Sequence, residues 1–97
     1  MSNRDKRNEI LVQKYGGTSV ATPEHINQIA ERVARTVVEY PRLVVVLSAM
    51  GKTTDQLVSL ANAVSDHPEG REMDLLLATG EQVSVSLLGL ALQNRGL

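Results

Sequence analysis

The sequence predicts an α/β protein, and three observations carry the prediction. Two apolar runs, Ile10-Leu11-Val12 and Leu43 to Leu47, have the length and side chains of buried strands. Between them lies a segment with helical periodicity, so the order is strand, helix, strand. Each run ends in a glycine-containing turn, Gly16-Gly17 after the first and Ala49-Met50-Gly51 after the second. A crossover through a helix makes the two strands parallel and the unit right-handed.

Composition sets the outer bounds. The 97 residues are 42% apolar and 22% charged, which suits one small globular domain. A formal charge of -1 gives no broad basic face for nucleic acid. The chain has no cysteine, which excludes disulfides, thiolate metal sites and thiol catalysis. His25 and His67 lie far apart in sequence and read as surface residues rather than as a ligand pair or a base.

The elements follow in order. Residues 1–8 carry Arg4, Lys6 and Arg7, interrupted by Asp5, and read as a flexible, solvated tail. No apolar stretch of secretory-signal length follows it, so a cytoplasmic location is expected. The first strand runs to Lys14. The helix after it places Ile26, Ile29, Ala30, Val33 and Val37 on one face, with Glu24, Gln28, Glu31, Arg32, Arg35 and Glu39 opposite. Thr22 is positioned to cap it, Pro23 suits the first helical position, Glu31 and Arg35 stand four residues apart, and Pro41 stops it.

The second strand ends at Ser48. A second helix follows, with Leu57, Leu60, Ala61 and Val64 on one face, Thr53 and Gln56 spaced as a capping box, and His67-Pro68-Glu69-Gly70 as its end. From Arg71 to Asn94 the periodicity is again helical, with Gly80 near the middle and Gly96 as a stop. Glu81, Gln82 and Ser84 interrupt the apolar stretch from Leu75 to Leu92 and argue against a membrane span. Apolar residues nevertheless occur nearly all round this segment, more than one small sheet covers. The expectation is association through this last helix, as a homo-oligomer or with another chain. Two strands are also fewer than a parallel sheet usually has, so residues 9–97 read as a fragment of a larger domain.

In an open parallel sheet, ligands bind beyond the carboxyl ends of the strands. The stretch Lys14-Tyr15-Gly16-Gly17-Thr18-Ser19-Val20 and the stretch Ser48 to Asp55 therefore face one site. Glycines free backbone amides to approach an anion, and a lysine at the strand end supplies the opposing charge. A plain strand-to-helix turn fits the first stretch equally well when it is taken alone. Gly51-Lys52-Thr53 suggests a P-loop, but the spacing fails, because Val46 stands where the motif needs its first glycine.

Three segments together, Lys14 to Val20, Ser48-Ala49-Met50-Gly51-Lys52-Thr53-Thr54-Asp55, and Arg71-Glu72-Met73-Asp74 running to Thr79-Gly80-Glu81, resemble aspartate kinase in the order that family has them. The lysine and glycine turn is shared across the amino-acid kinase superfamily, and the other two segments single out aspartokinase within it. The resemblance covers Ile10 to Leu97. It implies the three-layer α/β/α amino-acid kinase (carbamate kinase-like) fold, of which this chain holds the N-terminal β-α-β-α-α portion.

The resemblance further implies phosphoryl transfer from magnesium ATP to the side-chain carboxylate of L-aspartate, giving 4-phospho-L-aspartate, the first step toward lysine, threonine and methionine. Lys14 would be the catalytic residue, and Lys14, Tyr15, Gly16, Gly17, Thr18 and Ser19 would bind ATP. Thr18 and Ser19 serve equally well as turn residues. Ser48, Thr54 and Glu81 would contact aspartate. Thr54 could instead be a helix-start residue and Glu81 a structural ion-pair member. Lys52 and Asp55 match the family but are also explained as a solvated lysine and a first-turn acid. Tyr15 stands where phenylalanine is common in the family. The family's magnesium ligands, adenine pocket and regulatory domains correspond to nothing in these residues, so the chain alone is expected to be inactive. A truncated interaction module or pseudoenzyme of the same fold is the alternative.

Overall fold

Strand-forming residues sit where their alternation can be used. The computed structural model describes residues 6–97, and within it β1 (Ile10–Tyr15) pairs in parallel with β2 (Arg42–Leu47). The register sets Lys14 opposite Val46 and Tyr15 opposite Leu47. Leu11, Gln13, Tyr15, Leu43, Val45 and Leu47 turn toward the helices, while Ile10, Val12, Lys14, Val44 and Val46 turn out. That outer face is apolar yet 43–60% exposed at its four aliphatic positions.

Helix α1 (Pro23–Glu39) forms where the sequence places its signals. Thr22 Oγ1 accepts the backbone N–H of His25 at 3.2 Å, which satisfies one amide left over at the helix start. Ile26, Ile29, Ala30 and Val33 are buried, and the opposite face keeps Glu31 and Arg35 exposed, 3.7 Å apart. The Tyr40 N–H returns to the Thr36 carbonyl and closes the helix before Pro41.

Helix α2 (Thr53–Val64) starts differently from the expected capping box. Lys52 holds the N-cap position, no side chain caps, and the Thr53 N–H bonds the Met50 carbonyl at 2.9 Å. Thr53 already lies inside the helix, so its hydroxyl is past the point at which a cap works. Helix α3 (Gly70–Asn94) ends in a left-handed Gly96, with the Leu97 N–H on the Leu92 carbonyl and the Gly96 N–H on the Gln93 carbonyl. That is the Schellman arrangement, and it explains the glycine.

The element order is thus β-α-β-α-α, as the sequence implies. One core joins the inner sheet face to α1 and α3, built from Tyr15, Val20, Ile26, Ile29, Ala30, Val33, Leu47 and Leu88. Leu75, Val83, Val85 and Leu90 of α3 remain half exposed or more. The radius of gyration is 16.7 Å, against about 13 Å for a compact chain of this size, because α3 extends past the small sheet. By length and composition α3 would also suffice to cross a membrane, with an 18-residue window of mean hydropathy 1.6. Its contacts with α1, α2 and β2 give one side of it a protein environment.

The tail assigned to residues 1–8 falls partly outside the described residues, at 1–5. Lys6–Asn8 form one exposed 3-10 turn, with Lys6 Nζ 2.6 Å from Glu39 and Arg42 donating to the Asn8 carbonyl. The Glu39 hydrogen bond raises the Lys6 pKa.

Candidate active site

The chain leaves β1 through Gly16 and makes a 3-10 turn, Gly17–Val20, before α1. Val20 is fully buried in the core. Burying such a side chain contributes about 2 kcal/mol, which anchors the far end of the glycine turn. At the near end, the Ser48 N–H donates to the Tyr15 carbonyl at 3.1 Å and continues the sheet ladder one step beyond both strands. The Gly51 N–H then donates to the Gly17 carbonyl at 3.2 Å. Two turns that the sequence could only place at one edge are therefore bonded to each other.

Helix α3 forms the third wall. Gly80 is buried, and a Cβ on it would stand 3.0 Å from the Ala49 Cβ and 3.2 Å from the Thr53 Cγ2. Thr54 and Glu81 each follow directly on one of the touching residues, so the three motif segments come together at the carboxyl edge of the sheet.

The glycines divide by reason. Gly51 has φ +47°, a left-handed conformation that a side chain disfavours. Gly16 has φ -80° and ψ 177°, open to any residue, and nothing lies within 4 Å of where its Cβ would be. Gly17 is not left-handed, and a Cβ there would make ordinary contacts with the carbonyl oxygens of Ala49 and Gly51, at 3.5 and 3.6 Å. Neither backbone conformation nor crowding by neighbours requires glycine at 16. What its bare amide keeps is open space beside the crevice.

Lys14 is exposed on the outer sheet face, without a hydrogen-bond or ion-pair partner among the described residues. Its charge is uncommitted. The Tyr15 ring, by contrast, is a core residue, and its hydroxyl donates to Gln13 Oε1 at 3.0 Å. Thr18 and Ser19 are exposed and line a cavity of about 310 Å³ against α1, together with Tyr15, His25, Gln28 and Arg32. His25 is not simply a surface residue, since its Nδ1 is buried without a hydrogen-bond partner among the described residues.

Ser48 is half-buried and Thr54 is exposed on the first turn of α2. Glu81 is exposed and has no ion-pair partner among the described residues. A buried acid would need pairing, but this one is in water here, so burial supplies no argument for its role. The contact that sequence reasoning missed is Gly80 on Ala49. Its signal was a glycine in mid-helix, where glycine weakens the helix. Among the described residues no cluster of three or more His, Cys, Asp or Glu side chains could hold a metal ion.

Comparison with known proteins places the chain in a family. The model of the amino acid kinase family matches residues 9–97. An aspartokinase of Geobacillus stearothermophilus is 56% identical over 87 residues, which is 90% of this chain and 21% of that protein. Aspartokinase 2 of Bacillus subtilis is 58% identical over the same share of each. The crystal structure of aspartate kinase from Synechocystis superimposes with a TM-score of 0.83 at 59% identity, covering 89% of this chain and 15% of that one. The chain spans about a fifth of the length of the curated relatives. With the glycine turn, the second turn and α3 meeting at the carboxyl edge of a parallel sheet, and with the family model matched from residue 9 to residue 97, this chain belongs to the amino acid kinase family.

Proposed function

We propose that these residues form the N-terminal wall of an aspartate kinase active site, in which Lys14 and the Gly16-Gly17 turn receive ATP and Ser48, Thr54 and Glu81 receive L-aspartate. The observation that carries the reading is Gly16, whose missing side chain no neighbour among the described residues explains and a phosphate group would. Identity above one half with aspartokinases supports the choice of aspartate among the acceptors of the family.

The chemistry asks little of the protein as a base. An aspartate side chain is ionised at neutral pH (pKa about 4), so its carboxylate is already a nucleophile. The difficulty is bringing that anion to a polyphosphate, and catalysis then consists of neutralisation and enforced geometry. Lys14, uncommitted at the strand end, would neutralise oxygens of the transferring phosphoryl group. The amides at Gly16 and Gly17 would approach the phosphates without a Cβ between. Thr54 would donate to a carboxylate of aspartate, and Glu81 would pair with its ammonium group.

Magnesium supplies charge neutralisation on ATP in such reactions. The residues described do not form a cage for it, and in this reading its ligands lie outside this chain together with the adenine pocket. In this reading the 97-residue chain is inactive on its own. In this reading the enzyme is cytoplasmic, and α3 packs against protein rather than lipid.

The test is a chimera in which residues 9–97 replace the matching segment of the Geobacillus stearothermophilus aspartokinase. Aspartate-dependent ADP release by a folded chimera is expected. A second reading, a non-catalytic module of the same fold, predicts a folded chimera without that release.

A further inference from the structure

We propose that Gly80 is a positioning residue: its missing side chain sets how closely α3 approaches the turn from Ala49 to Thr53, and thereby fixes the separation of Thr54 and Glu81. The inference rests on the reading of those two residues as aspartate contacts.

Gly80 lies in the interior of α3, where glycine weakens a helix relative to alanine. Its φ is not left-handed, so the backbone does not call for it. Space does. A Cβ would lie 3.0 Å from the Ala49 Cβ, 3.2 Å from the Thr53 Cγ2 and 3.4 Å from the Leu57 Cδ1.

The first of these contacts cannot relax by a rotamer change, because the Ala49 methyl is fixed to its backbone. Ala49 is 5% exposed and lies between two tethers, the Ser48 N–H on Tyr15 and the Gly51 N–H on Gly17. A methyl at 80 is accommodated only when α3 or the turn moves by some tenths of an ångström. Thr54, next to Thr53 on α2, and Glu81, next to Gly80 on α3, then shift relative to one another. The added methyl touches neither Lys14 nor the Gly16-Gly17 turn, and the turn from Ala49 to Gly51 is held to that side by the Gly51 N–H on Gly17, so α3 is the part that yields and the ATP side keeps its geometry.

The experiment uses the chimera and measures KM for aspartate and for ATP. A displacement of about 1 Å costs up to 10²-fold in a positioned site, so Gly80→Ala, which needs less, is expected to raise KM for aspartate about tenfold and KM for ATP less than about twofold. Ala49→Gly added to it removes the 3.0 Å contact and is expected to restore KM for aspartate to within about twofold of the parent.

Equal changes in both KM values, or a double variant that regains thermal stability without regaining aspartate affinity, overturns the inference while leaving the functional reading intact. Should Gly80→Ala not fold, the double variant decides: folded with near-parental KM values it supports the inference, and unfolded it overturns it. A folded parent chimera without aspartate-dependent activity overturns the functional reading first.

Discussion

Gly16→Ala separates what the fold needs from what the site needs, because its two effects have opposite sign. At φ -80° and ψ 177° alanine is unstrained, and its Cβ would meet nothing within 4 Å. The substitution removes conformational freedom from the unfolded chain alone, which stabilises by about 0.4–1 kcal/mol. The chimera is about five times as long as this chain, so the rise in Tm there is no more than about 4 °C. At the site, the same methyl occupies the space that the phosphates of ATP are proposed to fill. Moving a nucleotide by about 1 Å costs up to about 10²-fold, so kcat/KM for ATP is expected to fall at least tenfold. Thermal melts and initial rates on the chimera measure both. A variant that is destabilised shows that the fold itself needs Gly16. A variant with unchanged ATP kinetics shows that the open space holds no phosphate. Either result refutes the reasoning.

The other predictions are distributed over the site, the scaffold and the uncovered surface. Lys14→Ala lowers kcat strongly, by about 10² or more for one electrostatic contact to the transferring group, whereas Glu81→Ala chiefly raises KM for aspartate; steady-state kinetics showing small, equal effects would contradict both roles. Thr22→Ala removes the cap on His25 N–H and costs about 1 kcal/mol, read as a lower midpoint in urea with an unchanged slope. The isolated 97-residue chain, with Leu75, Val83, Val85 and Leu90 open on α3, self-associates at micromolar concentration; sedimentation as a folded monomer would contradict this.

Much of this architecture is legible from local pattern. The periodicity of α1 names its buried face, because it depends on residues a few positions apart, whereas the two runs read as buried strands leave Ile10, Val12, Val44 and Val46 exposed on one face. Caps at Thr22 and Gly96 were legible for the same reason. The start of α2 was not, since Thr53 bonds backwards to Met50 and the turn geometry after Ser48 decides where the helix begins. Long-range packing was the larger gap. No spacing rule relates Gly80 to Ala49, or tells that Gly16 is bare for want of neighbours while Gly51 is bare for its φ. Glu81 illustrates the reverse error. A run of apolar letters around an acid suggests burial, but α3 buries Gly80, Ser84 and Leu88 and packs Leu87, Ala91 and Leu92 on the core, and Glu81 stays exposed.

The most direct measurement of the central claim is trapping of the product. An acyl phosphate reacts with hydroxylamine, whereas ADP released by simple ATP hydrolysis leaves nothing to trap. The chimera carrying residues 9–97, given ATP, magnesium and L-aspartate, is predicted to yield aspartyl hydroxamate in step with ADP, and the same chimera with Lys14→Ala is predicted to yield almost none. A folded chimera that forms no hydroxamate, or one whose yield is indifferent to Lys14, would contradict the assignment of this turn to phosphoryl transfer.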